Sequence, residues 1–384
     1  MFSQLPPLTL YIHFPWCVQK CPYCDFNSHP VRGEIPEQQY INQLLADFYH
    51  DLKWIQDRKI EAIFCGGGTP SLFSASSLQH LLATIREQVS LTADCEITLE
   101  ANPGTIDQQY FAGYYEAGIN RLSLGVQTWD DKQLQRLGRI HRSQQSREAI
   151  TILKAAGFQN FNIDLMYGLP QQTISEALQD LRYACTSGAT HISWYHLTLE
   201  PNTQFYYKPP KHLPDQEFIW DLEQQSYALL AHYGWQRYEV SAYAKAESQC
   251  RHNLNYWQFG DYLGIGAGAH SKLTDGYTQQ VWRFMKHKHP KHYMAATEHF
   301  CQQQTSIATK DLPFEFMLNT LRLCQPIQFS LFERYTGLDR VIILPILEQL
   351  QKQQLMMIHH HDFELTALGQ RFLNDVVAAF LISS

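Results

Sequence analysis

Short apolar or alternating runs predict six β-strands in the N-terminal half of the chain. These runs are LTLYIHFP (8–15), AIFCGGGTP (from residue 62), EITLEANP (96–103), RLSLGVQT (121–128), FNIDLMYG (161–168) and HISWYHLTL (191–199). Each run ends in, or is followed at once by, a glycine, a proline, an asparagine or a polar residue that is typical of a turn. We therefore expect strands that are bounded on both sides by connections.

Amphipathic helical patterns separate these strands. EQQYINQLLADFYHDLKWI follows the first strand, SSLQHLLATIREQV the second and QQYFAGYYEAG the third, while SREAITILKAAG and ISEALQDLRYAC precede the last two. Alternation of strands and helices predicts a parallel sheet with right-handed crossovers. Six repeats favour an α/β fold in the form of a partial (β/α)6 barrel over a closed eight-stranded one. Its chemistry is expected at the carboxyl ends of the strands.

The rhythm changes after residue 200. The loop PNTQFYYKPPKHLP is followed by the helical pattern DQEFIWDLEQQSYALLAHYG, by one further strand, RYEVSAYA, and by the glycine- and aromatic-rich segment CRHNLNYWQFGDYLGIGAGAHS. From about residue 312, helical patterns and a hairpin predict a small helical, winged-helix-like C-terminal domain. We therefore expect a barrel over residues 1–245, a connecting segment over 246–310 and a C-terminal domain over 311–384.

Composition narrows the classes of function. Hydrophobic residues make up 45% and charged residues 17% of the 384 positions, which is typical of a globular protein. The net charge of -7 argues against a nucleic-acid partner. No run approaches the roughly 18–20 apolar residues of a transmembrane helix. Nine cysteines, an odd number, with no recognisable export signal favour reduced thiols, so a cytoplasmic location is expected.

Three of the cysteines lie close together directly after the first predicted strand. Cys17, Cys21 and Cys24 form a CxxxCxxC pattern, which chance produces on the order of 0.005 times in a chain of this composition. A metal site is the favoured interpretation, and a group of buried free thiols is the alternative. A structural zinc site needs four ligands; His29 could supply one, but no second ligand pair follows at the usual spacing. Three thiolates suit a [4Fe–4S] cluster that keeps one iron open for an exchangeable ligand.

With an aromatic residue, Tyr23, before its last cysteine, this pattern resembles the radical S-adenosylmethionine (SAM) superfamily. GGGTP (66–70), LEANPGT (from 99), GVQTW (125–129), RLGRIH (136–141) and DLMYGLP (164–170) follow in the order found in the group that contains the oxygen-independent coproporphyrinogen III oxidases. The resemblance covers nearly the whole chain. It implies a [4Fe–4S] cluster on Cys17, Cys21 and Cys24, and SAM as a second cofactor. The implied SAM contacts are Tyr11, Tyr23, Gly67, Gly68, Thr69, Glu100, Gln127, Arg139, Asp164 and, by alignment of the sixth strand alone, Thr198.

Each of these positions also has a simpler interpretation. The glycines would let backbone amides approach a charged ligand, but GGGTP also suits a tight turn. Glu100 is a natural acceptor for ribose hydroxyls, or a helix-capping carboxylate. Arg139 and Asp164 could bind the charged groups of a ligand, or each other. Gln127 could be a hydrogen-bonding residue at the barrel end with no special role.

Within this group the chain resembles the haem chaperones more than the oxidases. The oxidases show CxxxCxxCxC, whereas Phe26 occupies the last position here, and only sixteen residues precede Cys17 where the oxidases carry a longer extension. HNLNY (252–256) matches the HNxxY motif of the chaperones. The resemblance implies haem as a ligand of His252, Asn253 and Tyr256.

The resemblance also implies delivery of haem to an acceptor protein, with membrane-associated respiratory proteins as one class of acceptor. A haem ligand needs a rigid backbone to present it, and Asn253 and Asn255 suit a turn of that kind by bonding the local backbone. For His252 the alternative is a loop histidine that bonds nearby backbone. For the whole chain the alternative is a radical SAM enzyme that decarboxylates a tetrapyrrole, as the oxidases do. No catalytic residue is indicated.

Overall fold

The computed structural model describes residues 2, 4–104 and 109–381. Thr105 of LEANPGT and Gln108, which begins the third helical pattern, lie outside these residues. In the described part, fourteen strands precede the C-terminal region. They are β1 (Leu8–Phe14), β2 (Trp16–Cys17), β3 (His29–Pro30), β4 (Ile60–Gly67), β5 (Leu91–Ala101), β6 (Arg121–Gln127), β7 (Asn160–Tyr167), β8 (His191–His196), β9 (Gln236–Glu239), β10 (Ala242–Ala244), β11 (Asp261–Ile265), β12 (His270–Asp275), β13 (Gln280–Lys286) and β14 (Cys301–Ile307).

The six predicted strands are confirmed as β1, β4, β5, β6, β7 and β8. They lie side by side in that order, and every neighbouring pair is parallel. Apolar residues on one face pack under the helices, whereas the other face carries polar residues at alternate positions. The predicted α/β partial barrel is therefore confirmed. All six carboxyl ends meet at one edge of the sheet, where a site can form.

The same sheet extends beyond the barrel strands on both sides. β11 pairs in parallel with β1, and β12, β13 and β14 continue outward in antiparallel fashion. On the other side β10 and β9 follow β8. The predicted single strand RYEVSAYA is wrong in this detail, because a turn at residues 240–241 folds it into two short antiparallel strands. The predicted connecting segment, 246–310, supplies two α-helices and four strands to this body.

Amphipathic helices cover the outer face of the sheet. Helix α1, for example, buries Tyr40, Leu44 and Phe48 against it, because these side chains lie at helical spacing on one face. The helices that precede the C-terminal region are α1 (Glu37–Asp51), α2 (Ala75–Gln88), α3 (Phe111–Glu116), α4 (Asp131–Arg136), α5 (Ser143–Ala155), α6 (Ile174–Thr186), α7 (Gln204–Tyr207), α8 (Gln216–His232), α9 (Arg251–Trp257) and α10 (Pro290–Ala295). None of the helices in the described ranges has the length and apolar character required to cross a membrane.

The C-terminal region forms a second, smaller core. Three short strands, β15 (Ile327–Gln328), β16 (Met356–Ile358) and β17 (Asp362–Leu365), make a sheet in the order β15-β17-β16. Phe316, Phe332 and Phe363 pack in its core, which also takes in Phe259 of the main body. The predicted small helical, winged-helix-like domain is thereby confirmed. Its helices are α11 (Leu312–Thr320), α12 (Phe329–Thr336), α13 (Leu344–Lys352), α14 (Ala367–Arg371) and α15 (Leu373–Ala378).

Candidate functional site

A cavity of about 540 Å³ opens at the carboxyl ends of the barrel strands. This volume lies within the range of small-molecule and cofactor sites. Most residues predicted for the cluster and for SAM line it: Cys17, Cys21, Cys24, Tyr23, Gly67, Gly68, Thr69, Glu100, Gln127, Arg139, Asp164 and Thr198. Residues that are up to about 180 positions apart in sequence are thus brought into one pocket.

The three cysteines lie on one wall of this cavity. Cys17 ends β2, and the loop that follows carries the other two; it turns back where the Cys24 amide donates to the Cys21 carbonyl at 3.1 Å. All three thiols are free. Burial raises the pKa of Cys17 and of Cys24, so their thiolate forms need a positive partner such as iron. His29 lies in β3, with its ring against His289.

The donor set fits an iron–sulfur cluster better than a single ion. In the part of the chain that the structure describes, no three His, Cys, Asp or Glu side chains are grouped as a single metal ion would require. A [4Fe–4S] cluster takes each thiolate on a different iron, so its sulfur ligands stand further apart than those of one zinc ion. The three thiols around one cavity therefore suit a cluster, and the remaining space suits a ligand beside it.

The glycine turn after β4 owes its composition to close packing. Gly67 has a φ of 112°, which side chains rarely adopt, and a Cβ there would lie 2.4 Å from the His13 ring. The Gly68 amide donates to the Phe14 carbonyl at 2.7 Å, and the Thr69 amide donates to the Trp16 carbonyl at 2.6 Å. These amides are therefore occupied by the protein itself. The turn lines the cavity, and its approach to a charged ligand stays a prediction.

Glu100 and Asp164 are the carboxylates at the inner end of the cavity. Glu100 accepts the Gly67 amide at 3.0 Å. Burial raises the pKa of Glu100 to about 8, with the nearby negative charge of Asp164 as a second cause. Burial also raises the pKa of Asp164, against hydrogen bonds from Asn162 and Ser123 at 2.8 and 3.0 Å. Two carboxylates held in this way favour a ligand that brings positive charge or hydroxyl donors.

Arg139 connects the cysteine loop to the strand ends. Its guanidinium lies 3.7 Å from the Cys21 sulfur and donates to the Asn102 side chain at 2.5 Å and to the Gly125 carbonyl at 2.8 Å. Asn102 in turn donates to the Thr69 hydroxyl at 3.1 Å. Arg139 and Asp164 therefore bind different partners, and the alternative that they merely pair with each other is not what the structure has.

The remaining predicted SAM contacts on the cavity wall are held by short polar or apolar contacts. Gln127 has a left-handed φ of 69° and accepts the Tyr195 hydroxyl at 2.6 Å. The Thr198 hydroxyl donates to Glu200 at 2.8 Å. Tyr23 packs beside Phe205 in a small apolar cluster. Contacts within the protein thus position these side chains.

Tyr11 is the predicted SAM contact that lies outside the lining of the cavity, as far as the described residues show. Its hydroxyl lies 3.0 Å from Nδ1 of His13. Its ring stacks on Phe64 and on His252, with centroid separations of 6.3 and 6.0 Å. Tyr11 therefore links the barrel wall to the HNxxY motif, which the spacing of residues in the sequence does not indicate.

The HNxxY motif forms helix α9, although a turn was expected. Asn255 bonds the Asp261 carbonyl at 2.8 Å and Thr9 at 3.3 Å, both distant from the local backbone that a turn would use. These tertiary bonds outweigh the turn preference of asparagine. His252 is 8% exposed, and its Nδ1 is buried with no hydrogen-bond partner among the described residues. Tyr256 packs against Tyr262, at 5.1 Å between centroids.

Burial lowers the pKa of His252 to about 4, so the ring is neutral at physiological pH. A neutral imidazole with an unpartnered nitrogen is the form that binds iron. In this structure the largely buried ring is stacked on Phe64, with 5.2 Å between centroids. His252, Asn253 and Tyr256 lie outside the lining of the cavity, so the predicted haem residues and the predicted SAM residues occupy adjacent but separate places.

Several residues of the site are missing from the sequence prediction. Asn102 follows β5 directly, and Ser123 lies on an inward-facing position of β6, as Asn162 does on β7 and Tyr195 on β8. Alternate residues of a strand share one face, so the inward-facing positions on β7 and on its two neighbouring strands could have indicated Ser123, Asn162 and Tyr195. At the cavity mouth Phe26 is 56% exposed, close to exposed Val18 and Ile140. The mouth therefore has an apolar rim.

The fold and the site define the class of protein. Residues 11–184 match the Radical SAM superfamily, and residues 307–372 match the HemN C-terminal domain. The solved structure of coproporphyrinogen III oxidase (HemN) from Escherichia coli superposes with a TM-score of 0.82 at 23% identity, covering 98% of this chain and 90% of that one. The chain has the radical SAM fold of that structure.

The particular family follows from relatives that match over their whole length. The haem chaperone HemW of Haemophilus influenzae is 50% identical, with 98% of this chain and 99% of the relative covered. HemW of Escherichia coli is 47% identical over the same shares of both chains. HemW of Bacillus subtilis is 32% identical, with 97% and 98% covered. The chain belongs to the HemW family.

Proposed function

We propose that this protein is a haem chaperone, which binds haem and a [4Fe–4S] cluster with SAM and passes the haem to an acceptor protein. The observation that carries the proposal is the full-length similarity to relatives named as haem chaperones, at 50 and 47% identity. In this proposal, Cys17, Cys21 and Cys24 hold the cluster. Residues at the carboxyl ends of the strands hold SAM.

The cavity supports the cofactor part of the proposal. When bound, a cluster with an open iron and SAM supply redox chemistry that amino-acid side chains lack. The residues of this chain bind and orient: Arg139 fixes the cysteine loop against Asn102, while Glu100 and Asp164 present carboxylates to a polar ligand. Phe26 gives the mouth an apolar side chain where the oxidases carry a fourth cysteine.

Helix α9 supports the haem part. The His252 ring is neutral, and its Nδ1 has no hydrogen-bond partner among the described residues. Both properties are required of a histidine that ligates haem iron. Because the ring is buried, we infer that haem binds only when α9 shifts away from Phe64. The haem acceptor is proposed to be another protein, with membrane-associated respiratory proteins as one class, and the site of action to be the cytoplasm.

The experiment is a paired assay on anaerobically reconstituted protein with SAM. In the first assay haem is titrated and the Soret band is followed; in the second, coproporphyrinogen III is supplied and protoporphyrinogen formation is measured. We expect saturable haem binding and no turnover. Robust turnover without haem binding would contradict the chaperone function and restore the alternative, a radical SAM enzyme acting on a tetrapyrrole. Reconstituted coproporphyrinogen III oxidase serves as the positive control of the second assay.

A further inference from the structure

A continuous chain of hydrogen bonds leads from the cavity toward the amino ends of β7 and β8, which we call the barrel floor. The Asn162 amide donates to Asp164 at 2.8 Å, and its carbonyl oxygen lies 2.7 Å from Nδ1 of His191. Nε2 of His191 lies 2.8 Å from the Tyr238 hydroxyl. Asn162, His191 and Tyr238 are buried, and they lie outside the lining of the cavity. Direct contact with a ligand in the cavity therefore does not account for them.

The direction of each bond in this chain is determined. Since the Asn162 nitrogen donates to a carboxylate, its oxygen must accept, and His191 therefore carries its proton on Nδ1. Burial lowers the pKa of His191 well below its usual value, so the ring is neutral and Nε2 is an acceptor. The Tyr238 hydroxyl therefore donates to Nε2. Every donor in the chain points toward Asp164.

The far end of the chain is the beginning of helix α9. The backbone amide of Cys250, the N-cap residue of α9, faces the Tyr238 hydroxyl and opposes the rise that burial causes in the pKa of Tyr238. The next amide, that of Arg251, donates to Glu96 at 2.9 Å. His252 follows directly. The helix that carries the HNxxY motif is therefore held at its first residues by groups from the barrel floor.

A second, charged link runs beside the first. The fully buried guanidinium of Arg121 lies 3.8 Å from Glu96, the carboxylate that holds the Arg251 amide. The positive charge of Arg121 also acts on Asp164, where it lowers the pKa of the carboxyl against the effect of burial. Both links thus begin at one cavity carboxylate and end at consecutive residues of one helix. Buried polar groups are costly unless each is paired, so a change at one end of such a chain is felt by its neighbours.

We propose that these two links couple ligand occupancy at Asp164 to the position of helix α9, so that SAM in the cavity raises the affinity of His252 for haem. A ligand that donates hydrogen bonds to Asp164 competes with Asn162 for the carboxylate. This weakens the pull on the start of α9, and His252 then leaves its stack on Phe64 more easily. The haem half of this inference rests on the proposed function. His191 and Tyr238 act as positioning residues, since they reach the haem site through α9.

The test compares two tyrosine variants of the β9–β10 hairpin. Tyr238→Phe removes the hydroxyl that joins His191 to Cys250. Tyr243→Phe is the matched control, because Tyr243 is equally buried and its hydroxyl has no hydrogen-bond partner among the described residues. Haem dissociation constants are measured on cluster-loaded protein with and without saturating SAM. We expect SAM to tighten haem binding at least about fivefold, the lower end of ordinary coupling between sites, in the wild type and in Tyr243→Phe. In Tyr238→Phe the ratio should fall below the wild-type value, because only the link through Arg121 and Glu96 remains.

A purely structural role for Tyr238 would change haem affinity equally with and without SAM and leave the ratio intact, which would overturn the proposal. A wild-type ratio close to one would also overturn it. Hydrogen exchange of the α9 amides gives a second readout that needs no haem. SAM should speed exchange there in the wild type and in Tyr243→Phe, and to a smaller extent in Tyr238→Phe. Such a result without haem binding would keep the coupling and refute the chaperone function; unchanged α9 exchange in the wild type would refute the coupling itself.

Discussion

The rings of Phe64 and His252 stack with their centroids 5.2 Å apart. Phe64 belongs to β4, the strand that ends in the glycine turn of the cavity, and His252 is the first residue of the HNxxY motif. A Cβ added to Gly66 would lie 2.9 Å from the Phe64 ring and 3.0 Å from Glu100. One aromatic side chain therefore separates the predicted haem ligand from the SAM cavity. The predicted haem site and the predicted SAM site are therefore adjacent.

The first prediction concerns the cluster. Anaerobic reconstitution should give about four irons per chain. Cys17→Ala, Cys21→Ala or Cys24→Ala should each abolish the iron–sulfur absorbance, because in the proposed site each thiol would hold a different iron. Cys65→Ala and Cys185→Ala are the controls, since these thiols lie outside the cavity lining. Iron quantitation and visible spectra check the result. Full cluster content in all three cavity variants would refute the assignment.

The second prediction concerns Asn102, which joins Thr69 to Arg139. Asn102→Ala should weaken SAM binding to cluster-loaded protein about tenfold and destabilise the fold by about 1–2 kcal/mol, the usual cost of lost hydrogen bonds. Asn120→Ala is the matched control for this variant, because the Asn120 side chain also makes two hydrogen bonds, to the backbone of Ile97 and of Cys95. It should destabilise the fold similarly but leave SAM affinity unchanged, as measured by calorimetric titration. Equal SAM affinity in both variants would show that Asn102 has only a structural role.

The third prediction concerns pH. Folding raises the pKa of Glu100 to about 8 from an ordinary value of 4.5, so the folded state holds a proton that the unfolded state has lost between these values. The free energy of unfolding of the apoprotein should therefore fall as the pH rises from about 5 to 8, and stay level with respect to this group above 8. Glu100→Gln should flatten that slope and raise the apparent Tm at pH 8, by on the order of 2 °C per kcal/mol gained.

A second buried carboxylate provides the control for the pH experiment. Burial raises the pKa of Asp180 to about 7, so Asp180→Asn should also reduce the slope. Asp180 binds Thr128 and the Trp129 amide, away from the cavity lining. SAM affinity should fall in Glu100→Gln alone. Thermal melts across the pH range measure how each of the two variants changes the slope of stability against pH. An unaltered slope in Glu100→Gln would show that Glu100 is ionised in the apoprotein.

The fold was predictable from the sequence where local patterns decide the structure. The six parallel strands follow from apolar runs, and the cavity residues follow because the carboxyl ends of parallel strands share one edge. The pairing of β11 with β1 could not be predicted, since these strands are separated by the whole barrel. The helical state of HNLNY was missed because the side chain of Asn255 bonds Thr9 of β1 and Asp261 of β11, which the sequence pattern does not show.

The candidate site likewise has features that the sequence predicts and features that depend on tertiary packing. The cysteine spacing predicts the cluster ligands without any structure, because three candidate ligands within eight residues need no tertiary contact to be recognised. The engagement of the Gly68 and Thr69 amides by Phe14 and Trp16 depends on how two strands pack, which no pattern in GGGTP records. The burial of His252 between Tyr11 and Phe64 likewise depends on three distant segments.

A haem titration of His252→Ala by absorbance decides whether this chain binds haem through the motif on α9. Removing the imidazole should weaken haem binding at least about tenfold or shift the Soret band, while iron content and SAM affinity stay at wild-type values. Tyr256→Ala should weaken binding less, since an aromatic contact contributes only about 0.5–1.5 kcal/mol. His360→Ala, on the exposed turn between β16 and β17, controls for the loss of a surface histidine and should bind haem normally. A wild-type spectrum and affinity in His252→Ala would contradict the assignment of the haem ligand.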